Sequence, residues 1–151
     1  MKIKLIPAII TISLIGVGIS ASPSQATETT IEQMPAKLET QFALSALPRA
    51  MRDKATVYLL DPTKGYQLSQ QGTSGATCLV ERTAWEQADF RNDIYVPLCY
   101  DAEGSKTFLK VIMDAATLRA QGMSPVALKA EIEIVTRTRS IKFQKKQVYL
   151  I

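Results

Sequence analysis

Thr56-Val57-Tyr58-Leu59-Leu60-Asp61-Pro62-Thr63-Lys64-Gly65-Tyr66-Gln67-Leu68-Ser69 reads as a β-hairpin. Its first five residues are β-branched, aromatic or apolar, the next five supply turn chemistry, and the last four alternate with period two. Downstream, Gly72-Thr73-Ser74-Gly75 is a second turn that leads into a third strand, Thr77-Cys78-Leu79-Val80. Links this short predict a meander. Ile94 to Tyr100 form a fourth strand, which Pro97 confines to an edge or a bulge because it lacks an N–H.

Helical patterns flank these strands on both sides. From Ala36, the residues Leu38, Phe42 and Leu44 to Leu47 make an apolar stripe, and Pro48 splits the helix before a last turn ending near Asp53. Asp101 is placed to cap a helix over residues 102–121, in which Phe108, Val111, Ile112, Ala115 and Leu118 recur at spacings of three and four and Gly122 closes the element. Ser124-Pro125 opens another over 125–137, carried by Leu128, Ile132 and Val135. Gln147 to Ile151 is strand-like.

The expected fold is a single α+β domain over residues 36–151. Its core is a small, mainly antiparallel sheet of about four strands, with a fifth if the C-terminal segment joins, packed against two to three helices.

Composition agrees with a globular chain: 151 residues, 46% hydrophobic and 21% charged. The chain has no histidine, which excludes Ser-His-Asp and Cys-His catalysis and nearly all imidazole-based zinc and haem sites. No cofactor or metal is expected. Gly72-Thr73-Ser74-Gly75 lacks the spacing of a nucleophile elbow as well as the histidine it needs.

Residues 1–26 have the grammar of a secretory signal peptide. Lys2 and Lys4 precede an apolar run from Leu5 to Ile19, and a small polar stretch ends at Ala26. That run is about 15 residues, short of the roughly 20 that span a bilayer. Residues 27–35 then read as a flexible leader. The expected localisation is export, to the periplasm or the cell exterior.

Charge is unevenly placed. From residue 134 to the end, Arg137, Arg139, Lys142, Lys145 and Lys146 stand without an acid, whereas residues 27–133 hold eleven cations against fourteen acids, a net of −3. The basic run is a candidate for an anionic surface, although such runs most often serve solvation. No nucleic-acid recognition motif is present.

Cys78 and Cys99 are the two cysteines, and an oxidising destination makes an intramolecular disulfide their simplest assignment. Their spacing is unlike that of a Cys-x-x-Cys redox pair. Glu81 and Arg82 follow the first cysteine, and Asp101 and Glu103 follow the second, so the disulfide is expected to gather them at one end of the sheet. That cluster is the candidate ligand-binding site. Capping by Asp101 and a salt bridge at Arg82 are its bland alternatives.

Gly75-Ala76-Thr77-Cys78-Leu79-Val80-Glu81-Arg82 and Pro97-Leu98-Cys99-Tyr100-Asp101-Ala102-Glu103-Gly104-Ser105, with Ala55 to Tyr58, resemble a family of uncharacterised exported bacterial proteins. The resemblance covers roughly residues 45–135. It implies export and the cysteine pairing, and transfers no catalytic residue. The residues together suggest an exported, non-enzymatic protein that binds a small ligand, an envelope component or a protein. The alternative is a carboxylate-based hydrolase using Asp101, Glu103 or Glu81.

Overall fold

The computed structural model describes residues 31–148, with side chains as far as residue 138. The signal-like segment and residues 27–30 and 149–151 lie outside the described residues. Helices α1 (Ala36–Ser45) and α2 (Arg49–Arg52) precede strands β1 (Thr56–Asp61), β2 (Gly65–Gln70), β3 (Thr77–Glu81) and β4 (Val96–Tyr100). Helices α3 (Ala102–Lys106), α4 (Phe108–Ala120) and α5 (Pro125–Val148) complete the order. The result is an α+β fold with a small four-stranded mixed sheet.

Strand alternation sorts the core into two layers. Leu60, Tyr66 and Leu79 pack with Leu109, Ile112 and Ala116 of α4, whereas Val57, Cys78 and Val80 pack with Ala43 of α1. The sheet therefore lies between α1 and α4. A third cluster joins Ala115 to Leu128 and Ile132, seating α5 on α4.

The hairpin forms as expected. Asp61 closes its turn by accepting from the Thr63 N–H at 2.8 Å and the Thr63 hydroxyl at 2.7 Å, and Gly65 supplies a φ of +80° that other residues resist.

The meander does not form. Strand order is β2-β1-β3-β4, with β1 and β3 parallel, so the link after β2 crosses the start of β1 instead of turning back beside β2. The physical reason is a carbonyl cradle. The Lys54 oxygen accepts from the Thr73 N–H, the Ser74 N–H and the Ser74 hydroxyl at 2.8 to 2.9 Å, while the Gly72 N–H donates to the Thr56 hydroxyl at 3.0 Å. A Cβ on Gly72 would stand 2.3 Å from the Ala55 carbonyl carbon, so only glycine lets the two backbones pass. Gly72 to Gly75 is thus a crossing loop.

Cys78 and Cys99 are directly opposed on the antiparallel pair β3–β4, bonded at 2.00 Å with Cα atoms 4.1 Å apart. That short Cα distance marks a non-hydrogen-bonded pair. Two residues on, Val80 and Pro97 fall in the same class, so the missing proline N–H removes no ladder bond from this edge strand.

Three expectations require correction. The helix over 102–121 is broken at Thr107, whose hydroxyl donates to the Glu103 and Gly104 carbonyls and whose backbone leaves helical geometry; Phe108 is consequently exposed, stacking on Tyr100. Gln147 and Val148, expected to begin a fifth strand, belong to α5. No glycine or proline follows Pro125, so nothing stops that helix near residue 137. The end of the leader is tied down: Ile31 is buried in the α4-side core, and the Glu32 carbonyl accepts from Arg82.

Candidate functional site

The β1–β3 ladder is very short. Only Thr56–Thr77 and Val57–Cys78 are paired, and beyond them the strands separate, leaving inward-facing backbone groups without ladder partners. Buried backbone polar groups must find partners elsewhere. Two side chains supply them. The Glu39 carboxylate, brought from α1, accepts the Leu60 N–H at 2.9 Å, and the Tyr66 hydroxyl donates to the Val80 carbonyl at 2.7 Å. Glu39 is 1% exposed.

Arg82 leaves the end of β3 into the same gap and is 2% exposed. Its Nη1 donates to the Glu32 carbonyl at 3.4 Å, the Tyr95 ring lies 4.0 Å beneath its guanidinium, and its Nε has no partner among the described residues. Arg119 of α4 stands next to it. That side chain donates to the Arg82 carbonyl at 3.2 Å and the Thr83 hydroxyl at 3.3 Å, and rests on the Phe90 ring at 4.2 Å. The β3–β4 connection therefore crosses this end of the sheet and lays one aromatic ring on each guanidinium.

Titration follows the burial. Loss of solvent raises the Glu39 carboxyl, opposed by the Leu60 N–H and the Arg82 charge. Burial, helped by the Glu86 charge, pushes Glu81 up to about 7. Burial and the neighbouring Arg82 bring Arg119 down to about 10. Burial also raises the Tyr66 phenol, so it stays a donor. The gap holds two cations, two carboxyl groups that resist ionisation, and a free N–H donor.

Of the expected site residues, Glu81 and Arg82 belong to this cluster. Asp101 and Glu103 do not. Because β3 and β4 run antiparallel, Glu81 faces Val96 while Thr77 faces Tyr100, which sets Asp101 past the far end, about 17 Å along the strand from Glu81. There Asp101 caps α3 by accepting the Gly104 N–H at 2.7 Å, and Glu103 pairs with Lys106 at 2.9 Å on the exposed surface. The disulfide joins the strand centres, so it cannot gather their two C-terminal ends.

Glu39, Tyr66, Tyr95, Phe90 and Arg119 were not among the expected site residues. A signal for two of them exists in the chain. Glu39 stands four residues before Ala43, and Arg119 three and four residues after Ala116 and Ala115, so both charges occupy the apolar register of their helices. Of the basic run, Arg137 is exposed, and Arg139, Lys142, Lys145 and Lys146 lie on α5.

No group of three or more His, Cys, Asp or Glu side chains among the described residues is placed to hold a metal ion. No described helix is long and apolar enough to cross a membrane. The fold and the gap define a small α+β protein with a buried arginine, Arg82, beside a half-buried one, Arg119, at one end of a mixed sheet. Comparison of the chain with protein-family models, curated proteins and solved structures found no match.

Proposed function

We propose that this is an exported, non-enzymatic binding protein whose ligand is a small anion, a carboxylate or a phosphate, taken between Arg82 and Arg119. One observation carries the reading: the Arg82 guanidinium is almost wholly buried, yet its Nε donates to nothing among the described residues. A buried donor without a partner costs about 1–3 kcal/mol, more when charged. An anion bridging the two guanidinium groups would satisfy it and relieve their mutual repulsion. The signal-like segment and the disulfide support export.

The test is calorimetric titration of the oxidised protein with inorganic phosphate and with succinate, beside R119Q and Y95A. Saturable binding of either probe, weakened at least about tenfold by R119Q and strengthened by Y95A, supports the site. Absence of saturable binding for both probes overturns it.

The hydrolase alternative draws on Glu81, held near neutrality as a general acid is. Its partners are badly placed. A glycosidase pair stands at most about 9.5 Å apart, and Asp101 and Glu103 lie farther along the ladder. The basic run supports a separate reading, in which Arg137, Arg139, Lys142, Lys145 and Lys146 meet an anionic surface as one helix. Association with anionic vesicles that weakens steeply between 50 and 300 mM salt, about the range over which exposed charges become screened, would support it.

A further inference from the structure

At the far end of the sheet from Arg82, a groove of about 440 Å³ opens on the α1 side. Leu47 and Met51 form one wall, Ser74 to Ala76 of the crossing loop another, and Cys99, Tyr100 and Asp101 the third. Of the two bridged residues, Cys99 is among those that line the groove, its Sγ lying 3.5 Å from the Ala43 carbonyl. Cys78 is not: it has no exposed surface and packs among Ala43, Val57 and Val80.

We propose that the Cys78–Cys99 bond is a site of thiol–disulfide exchange, entered through this groove and attacked at Cys99 alone, with a dithiol as the co-reactant. The asymmetry follows from the reaction. A thiolate displaces one sulfur from the other by attack at a sulfur it can reach, and which sulfur is attacked depends on access. Cys99 is the half of the bond that borders the groove and Cys78 has no exposed surface, so the attack falls on Cys99 and Cys78 is the leaving group. In the first step the incoming sulfur bonds to Cys99 Sγ, the Cys78–Cys99 bond breaks, and Cys78 departs as a thiolate that takes a proton. In the second step the other thiol of the reagent attacks its own bridged sulfur and releases Cys99. Two electrons pass from the dithiol, which becomes a disulfide, to the protein, which gains two thiols.

Asp101 gives the groove a selectivity. It lines the same groove two residues after the attacked cysteine, so the groove disfavours thiols that carry negative charge beyond the attacking thiolate and favours those without it, including uncharged segments of a protein dithiol. Asparagine caps a helix about as well as aspartate, so D101N removes the charge while α3 keeps its cap.

The experiment uses the oxidised full chain. It is mixed with a thioredoxin-fold reductase whose resolving cysteine is replaced by serine, which traps the first step, and the free thiol is then alkylated. Peptide mass spectrometry is expected to place the reductase on Cys99 and the alkyl group on Cys78. A parallel arm measures reduction by glutathione and by dithiothreitol. D101N is expected to speed the glutathione reaction about two- to fivefold and the dithiothreitol reaction by less, because both attack as thiolates but glutathione brings a further negative charge past the removed carboxylate. Adduct on Cys78, or equal adducts on both cysteines, overturns entry through the groove. A D101N effect of equal size on both reagents overturns the charge selectivity. Capture by the reductase with slow reaction of both small thiols assigns the source to a protein dithiol, and the converse assigns it to small thiols.

Discussion

The Glu39 carboxylate accepts the Leu60 amide at 2.9 Å in the middle of the fold, where a backbone carbonyl of β3 would stand if the parallel ladder continued. A side chain from α1 thus completes the sheet. The bond ties helix, central strand and the Arg82 gap together.

Removing the acceptor should therefore cost more than removing the charge. E39A leaves the Leu60 N–H buried without a partner and opens a cavity, a loss of about 2–4 kcal/mol. E39Q keeps an oxygen for that amide and also spares the burial of an anion, so its loss should be below about 1 kcal/mol. Urea denaturation of both variants checks the order; equal losses would show that the Leu60 bond is not what Glu39 provides.

The crossing loop gives a second prediction. G72A drives a Cβ into the Ala55 backbone and should destabilise by about 2–3 kcal/mol, as an overpacked interior position does. S74A removes one of three donors to the Lys54 carbonyl, and should cost about 1 kcal/mol. Thermal unfolding measures both. Wild-type stability in G72A would contradict the close passage of the link over β1.

Loss of the disulfide releases a loop of about 22 residues, and the chain-entropy model sets that at roughly 3 kcal/mol. The C78A/C99A variant should fall by about that amount and expose β4 to exchange first, because β4 is an edge strand held on one side only. Amide hydrogen exchange of Val96–Tyr100 tests the order. Uniform loss of protection across the sheet would show that the disulfide stabilises the whole fold without a special hold on β4.

The strands were legible because each is a short run of β-branched, aromatic or apolar residues bounded by turn formers, and Pro97 announced its edge. The order of the strands was not. Six residues between β2 and β3 suit a return hairpin as well as a step across β1, and only the contact between Gly72 and the Ala55 backbone decides. Antiparallel pairing of β3 with β4 likewise separates Arg82 from Asp101, a consequence of register that no local pattern encodes. Arg82 was visible as a charge beside a strand. Its partners were not, because Glu39, Tyr95 and Arg119 reach it from elements distant in sequence. In α5, Val148, a strand former, yields with Gln147 to a helix already running.

The last prediction concerns pH. Glu81 titrates near 7 in the folded protein against an ordinary value of 4.5, so folding favours its protonated form. Below about pH 4.5 the group is protonated in both states and carries no penalty. As pH rises, the unfolded chain ionises first and stability falls, until above about pH 7 both states are ionised and the loss is constant. Glu39 is shifted in the same direction. Fully buried, a shift of this size corresponds to about 3 kcal/mol; Glu81 is partly exposed, and screening reduces the expected change to about 1 kcal/mol. The melting temperature should therefore be higher at pH 5 than at pH 8 by about 3–5 °C. E81Q, neutral throughout, should flatten much of that slope, leaving the part due to Glu39. An unchanged slope in E81Q would show that some other group governs stability between pH 5 and 8.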